Sequence, residues 1–151
     1  MKISARIANK KGEHRVSLKT CEREHSLMIS PKEDDFGSSV NGGELLFLAL
    51  ATCYCNDLYR EAKRRGIDVQ NVEVEVSGEF GSEGEAARNI SYRASVDAKA
   101  PEDEILNLMR HTDAVAEIQN TLRCSSPIVL SQCEARELEI STEPHDTMSG
   151  S

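Results

Sequence analysis

The segment from Glu44 to Arg65 constrains the fold most, because it is a helix whose first half is almost wholly apolar. Residues 45–55 carry no charged side chain, so apolar groups fall on nearly every side of the helix. Charge returns at Asp57 and is dense from Arg60 onward. Gly66 stands where a C-terminal cap belongs, after basic residues that suit the negative end of the helix dipole. We therefore expect a central helix that is buried at its start and reaches the surface at its end.

Alternating apolar residues predict two antiparallel hairpins around this helix. The first pairs Ile3–Ile7 with Val16–Leu18, and the second pairs Val72–Val76 with Ile90–Asp97. A short third strand at Leu27–Ile29, closed by Pro31, is expected between the first hairpin and the helix.

A second helix is predicted after Pro101, which is followed by carboxylates at the positive end of the dipole. The polar run His111–Asp113 is expected to interrupt it. Two further strands are expected at Ile128–Leu130 and Leu138–Ile140. The pattern predicts an α+β fold, an antiparallel sheet packed on a buried central helix, with one domain over residues 1–140 and a flexible tail over 141–151.

Composition narrows the class of function. The 151-residue chain has 26 acidic and 18 basic residues and a net charge of −8, which opposes binding to nucleic acid or to an anionic membrane surface. The sequence contains neither a transmembrane run nor a signal peptide, so we expect a cytoplasmic protein. Five cysteines without secretion cues argue against a disulfide framework, and the four scattered histidines form no zinc spacing, so no metal site or cofactor is predicted.

One helix motif is distinctive. It runs Glu44-Leu45-Leu46, then Ala49-Leu50-Ala51-Thr52-Cys53, then Asp57, and continues after the helix into Ile67-Asp68-Val69 and the strand of alternating valines. With the element order βββ-α-ββ-α-β, this sequence resembles the OsmC/Ohr family of thiol-dependent hydroperoxide reductases, in the subgroup that reads E-L-L-x-x-A-L-x-x-C-x-x-x-D.

The resemblance implies a redox reaction at Cys53. This chain differs from the family at two of the positions that the reaction uses. In that family the cysteine matching Cys53 is oxidised by peroxide to a sulfenic acid, and a second cysteine then forms a disulfide with it. Here the second position is Ala116, in the run Ala116-Glu117-Ile118-Gln119-Asn120-Thr121-Leu122, and the activating glutamate falls on Gly43, with Glu44 next to it. The activating arginine usually comes from the N-terminal strands, where three candidates remain open: Arg6, Arg15 and Arg23.

Two interpretations of Cys53 remain open. A free cysteine often packs as a small hydrophobe. Alternatively, Cys53 is a peroxidatic thiol that reduces organic hydroperoxides with an external thiol as reductant, Glu44 being the second candidate catalytic residue. The rival function is non-catalytic binding of a small apolar or electrophilic ligand.

Three lesser expectations accompany these. Cys21, Cys55, Cys124 and Cys133 are expected to be structural or incidental. Asp57 is expected to bond a neighbouring group, because an unpaired carboxylate there would be costly. A lone chain can hardly cover the central helix, and the family resemblance implies an intertwined homodimer with the ligand or active site at the subunit interface.

Overall fold

A computed structural model describes residues 1–34 and 36–136. Within them the order is βββ-α-ββ-α-α, which confirms the α+β class. The strands are β1 (Ile3–Lys10), β2 (Glu13–Thr20), β3 (Arg23–Ser26), β4 (Asp68–Glu79) and β5 (Arg88–Lys99). The helices are α1 (Gly42–Arg65), α2 (Glu102–Val115) and α3 (Glu117–Arg123).

The N-terminal sheet has the order β1-β2-β3, with both pairs antiparallel. Opposite residues include Ile7 with Val16 and Ala5 with Leu18, so the first hairpin is confirmed. The third strand was predicted too late in the chain. A tight turn, in which Cys21 adopts a left-handed φ of 52°, returns the chain at once, so the polar strand β3 pairs with β2 before Leu27 is reached.

The second hairpin forms a separate two-stranded sheet from β4 and β5, on which α1 and α2 build the core. Tyr54, Leu58 and Ala62 lie one turn apart on α1 and are buried with Leu108 of α2. The partly buried side chains of Val72, Val74, Tyr92 and Val96 pack against them from the sheet. Val72 and Val74 therefore face the core, as the alternation along β4 requires.

Both ends of α1 are capped by its sequence. Asn41 accepts from the backbone N–H of Glu44, and the Glu44 carboxylate accepts from the backbone N–H of Asn41, which together form a capping box. Gly66 closes the helix with a left-handed φ of 69°, as expected.

The break between the second and third helices falls elsewhere than predicted. His111 and Asp113 lie within α2, and the chain bends at Ala116, whose extended backbone begins α3. The polar residues 111–113 do not break α2, because the backbone hydrogen bonds of the helix continue through them. The Thr112 hydroxyl also donates to the carbonyl of Leu108, one turn earlier. The expected strand at Ile128–Leu130 is also wrong, since these residues are exposed and unpaired in the described chain. The expected strand at 138–140 and tail at 141–151 lie outside the described residues.

Within a single chain, α1 is buried along one face between Leu50 and Ala62. The expectation of a buried start is wrong, because residues 42–49 are only partly buried or exposed. The opposite face of α1 carries Leu45, Leu48, Thr52, Cys55 and Tyr59, a stripe with alternating spacings of three and four residues and no charge. Leu48 is 56% exposed and Tyr59 is 44% exposed. Among the described residues, no helix is long and apolar enough to cross a membrane.

Candidate thiol–carboxylate site

Cys53 lies midway along α1 and turns toward the start of α3. Its thiol donates to Oδ2 of Asp57, one turn later, at 3.5 Å. The Sγ atom also lies 4.0 Å from Oε2 of Glu117, on α3. The sulfur is half-buried and lies outside the apolar core, beside two carboxyl groups from two helices.

Arg60 holds the two carboxyl groups together. Its Nη1 lies 2.5 Å from Oδ1 of Asp57 and 3.7 Å from Oε1 of Glu117. Its Nε bonds Glu61 at 3.0 Å, and Glu61 also contacts Nε2 of His111 at 3.3 Å. The expectation that Asp57 bonds a neighbouring group is confirmed, and its partners are Arg60 and Cys53.

The electrostatics of the cluster favour a protonated thiol. Burial raises the pKa of the Cys53 thiol; a backbone hydrogen bond from Ile118 opposes this, but the nearby Asp57 and Glu117 raise it further. Burial and Glu117 also raise the pKa of Asp57, against the effect of Arg60. The pKa of Glu117 is lowered, first by its own backbone N–H and then by Asp57. A free thiolate at Cys53 is therefore disfavoured, because it would add charge to an acidic cluster.

The same atoms are able to hold a cation in principle. The ligand atoms of Cys53, Asp57 and Glu117 lie within 4.8 Å of one another. Arg60 already binds both carboxyl groups, so a cation would compete with a guanidinium for the same oxygens. The donor set is thus satisfied by the chain's own charge, and we assign no metal to it.

Glu44, the second candidate catalytic residue, is placed at the N-terminal end of α1. It is engaged in the capping box, and the nine residues that separate it from Cys53 correspond to roughly 13 Å of helix rise. A glutamate at the neighbouring Gly43, as in the peroxidases, would require the ring of Phe80 to move. A Cβ at Gly43 would lie 2.6 Å from Cε2 and 2.9 Å from Cζ of Phe80, whose ring also packs on Phe47.

The other family positions are equally altered. Ala116, at the resolving position, is fully buried at the junction of α2 and α3. Cys124 caps the end of α3 and is exposed, as are Cys21 and Cys133. Arg6, Arg15 and Arg23 lie in the N-terminal sheet, and none of them makes an ion pair with the site in the described chain.

Sequence reasoning missed Arg60 and Glu117. Arg60 follows Asp57 by three residues, a spacing at which helical side chains meet, and that signal was available. Glu117 is 64 residues from Cys53, and its only signal was the resemblance, which aligns the preceding Ala116 with the family cysteine that pairs with Cys53.

Comparison with known proteins agrees with this architecture. The family model described as OsmC-like protein matches residues 35–131. An OsmC-like protein from Mycoplasma pneumoniae has a TM-score of 0.61 at 16% identity, covering 82% of this chain and 88% of that one. A hypothetical protein from Aquifex aeolicus has a TM-score of 0.57 at 15% identity, covering 83% and 88%. An OsmC-like protein of unknown function from Vibrio cholerae has a TM-score of 0.55 at 12% identity, covering 80% and 93%.

A comparison with curated protein sequences finds no match. At these identities the solved structures establish the fold, which is the OsmC-like α+β fold. The family model covers well over half of the sequence, and the chain belongs to the OsmC-like protein family.

Proposed function

We propose that this OsmC-like protein is a cytoplasmic stress-related homodimer that reduces organic hydroperoxides through Cys53. The sulfenic acid formed on Cys53 condenses with an external thiol and releases water, and a second thiol then restores Cys53 as a disulfide of the two reductants leaves. An external reductant is required because the resolving position is Ala116.

The surroundings of Cys53 carry the proposal. A cysteine that served only as packing would be expected among apolar side chains, like Leu50 and Leu58 on the same helix. Cys53 is instead half-buried, and its thiol is hydrogen-bonded to a carboxyl group. Glu117, beside the sulfur, is largely exposed, so the site lies at the surface of a single chain.

The outer face of α1 supports the homodimer. The stripe of Leu45, Leu48, Thr52, Cys55 and Tyr59 has the spacing of a helix–helix contact, and it is uncharged. A second copy of α1 related by a two-fold axis would present the same stripe, so the surface is able to pair with itself.

The function is tested by trapping the oxidised thiol. Reduced protein is mixed with an equimolar amount of cumene hydroperoxide, the sulfenic acid is captured with dimedone, and the modified peptide is identified by mass. We expect a rapid adduct on Cys53 that is lost in Cys53→Ser. Cys55→Ser is the matched control, since Cys55 lies on the same helix with similar burial, and it should react like the wild type.

Turnover is tested with the same variants. Hydroperoxide consumption should continue in the presence of excess dithiothreitol and stop in Cys53→Ser, with no intramolecular disulfide in the wild type. An unmodified Cys53 in a folded protein would refute the peroxidase function.

A non-catalytic function is favoured by the ring of Phe80, which lies where the family's activating glutamate would be. Because Phe80 occupies the space beside Gly43 and carboxylates surround the thiol, the site has lost features that activate a thiolate. The alternative is a non-catalytic OsmC-like protein that binds a small apolar or electrophilic ligand at the dimer interface. Slow alkylation of Cys53 by an apolar electrophile, together with no reaction toward hydroperoxide, would support it.

A further inference from the structure

The pairing of Cys53 with Asp57 bears on how this thiol is deprotonated. The thiol has one proton, and its shortest contact is to Oδ2 of Asp57 at 3.5 Å, against 4.0 Å to Glu117. The Asp57 side chain is only 7% exposed, so water does not readily replace it as the acceptor. The geometry therefore gives the proton one preferred destination.

The charge of the cluster favours transfer of the thiol proton to Asp57 over its release to solvent. Release of the thiol proton to solvent would leave a thiolate beside two carboxylates, of which Arg60 neutralises only part. Transfer of the proton to Asp57 keeps the charge of the pair unchanged while the sulfur becomes nucleophilic. Arg60 fixes the Asp57 carboxylate through Oδ1 and leaves Oδ2 directed at the sulfur.

We propose that Asp57 is the general base that takes the Cys53 thiol proton and returns it to the leaving group during hydroperoxide reduction. This rests on the proposed function. The sulfur attacks the terminal oxygen of ROOH, the S–O bond forms and the O–O bond breaks. The proton passes from sulfur to Oδ2 of Asp57 and then to the alkoxide, giving Cys53–SOH and ROH. Sulfur is oxidised by two electrons and the peroxide is reduced by two.

The other ionisable groups of the cluster do not take the proton in this proposal. Arg60 is a positioning residue, and Glu117 is a weaker acceptor at the longer distance. Glu61 shares Arg60, and His111 of α2 contacts Glu61, so neither faces the sulfur directly. The titratable and charged groups around the proton path are thus Cys53, Asp57, Arg60, Glu117, Glu61 and His111.

The test is the rate of Cys53 oxidation by cumene hydroperoxide in single-turnover experiments from pH 5.5 to 9. Asp57→Asn should react at least about a hundredfold more slowly than the wild type at pH 7, which is the low end of the effect of a general base. Asp103→Asn is the control, since Asp103 is an exposed carboxylate at the start of α2 and lies outside the cluster, and it should stay within about threefold of the wild type. Glu117→Gln removes the more distant carboxylate and should slow oxidation less than Asp57→Asn does. Iodoacetamide alkylation of each protein reports the thiol pKa independently.

The sign of the effect decides between two roles for Asp57. If Asp57 acts only by its charge, its removal lowers the thiol pKa and oxidation at pH 7 becomes faster. An equal or faster rate in Asp57→Asn, or an equal loss in Glu117→Gln, would overturn the assignment. If the wild type is not oxidised at Cys53 at all, the proposed function fails with it.

The wild-type pH profile is a second measurement that needs no variant. A general base gives a rate that is independent of pH between the ionisation of Asp57 and that of the thiol. Attack by free thiolate alone gives a rate that rises tenfold per pH unit across the same range, and that result would also overturn the proposal.

Discussion

Truncation of Leu48 to alanine tests the pairing of α1 with a second copy. Leu48 lies in the middle of the uncharged stripe and is 56% exposed in one chain. Full burial of a leucine side chain stabilises by about 1.5–3 kcal/mol, so burial of the exposed part contributes about 0.8–1.7 kcal/mol per subunit. The two-fold axis doubles this to about 1.7–3.4 kcal/mol. Because about 1.4 kcal/mol is a factor of ten, the dimer should dissociate about 15- to 300-fold more readily.

Analytical ultracentrifugation over a range of protein concentrations measures this shift. Leu106→Ala is the matched control, since Leu106 is a 39% exposed leucine on α2 and not on the stripe. It should leave the dimer constant within about threefold. A wild type that is monomeric at micromolar concentration, or a Leu48→Ala dimer as tight as the wild type, would refute the pairing of α1 helices.

Three further results are expected. Gly43→Glu should bring no gain in Cys53 oxidation, because the new side chain must displace the ring of Phe80. A faster oxidation would contradict this. Burial raises the pKa of Asp113, but hydrogen bonds from Tyr92 and Arg123 outweigh burial and hold that pKa below 3.8. The ionised carboxylate therefore stabilises the fold above pH 3.8, and this stabilisation is lost as the pH falls below that value. The free energy of unfolding, measured against pH, should fall less in acid for Asp113→Asn than for the wild type. Burial and Asp113 raise the pKa of Tyr54 to about 12, so stability should fall as pH rises from about 10 to about 12; an unchanged alkaline limb in Tyr54→Phe would argue against that origin.

The elements that sequence patterning located well are those whose signals are local. The end of α1 follows from Gly66, and its start at Gly42 lies close to the predicted Glu44, because both signals act within one turn of the helix. The hairpins follow from side-chain alternation, which depends only on the pleat of a strand. The third strand and the break before α3 were misplaced because each depends on a backbone turn, at Cys21 and at Ala116, that apolar periodicity does not report.

Some features of the candidate site could also be predicted from the sequence, and others could not. The sequence identified Cys53 and the departures at Gly43 and Ala116, and it anticipated that Asp57 would need a partner. It did not show that Phe80 fills the space beside Gly43, since that contact joins the end of β4 to the start of α1.

The sequence by itself determined the fold class and the family and singled out Cys53 as the candidate reactive residue, because each depends on patterns read along the chain. The tertiary structure alone decided what surrounds that cysteine. Packing of α3 on α1 brings Glu117 to the thiol and completes a cluster with Asp57 and Arg60. The reactivity of a thiol depends on charges within a few ångströms of the sulfur, and distance along the chain does not set that spacing.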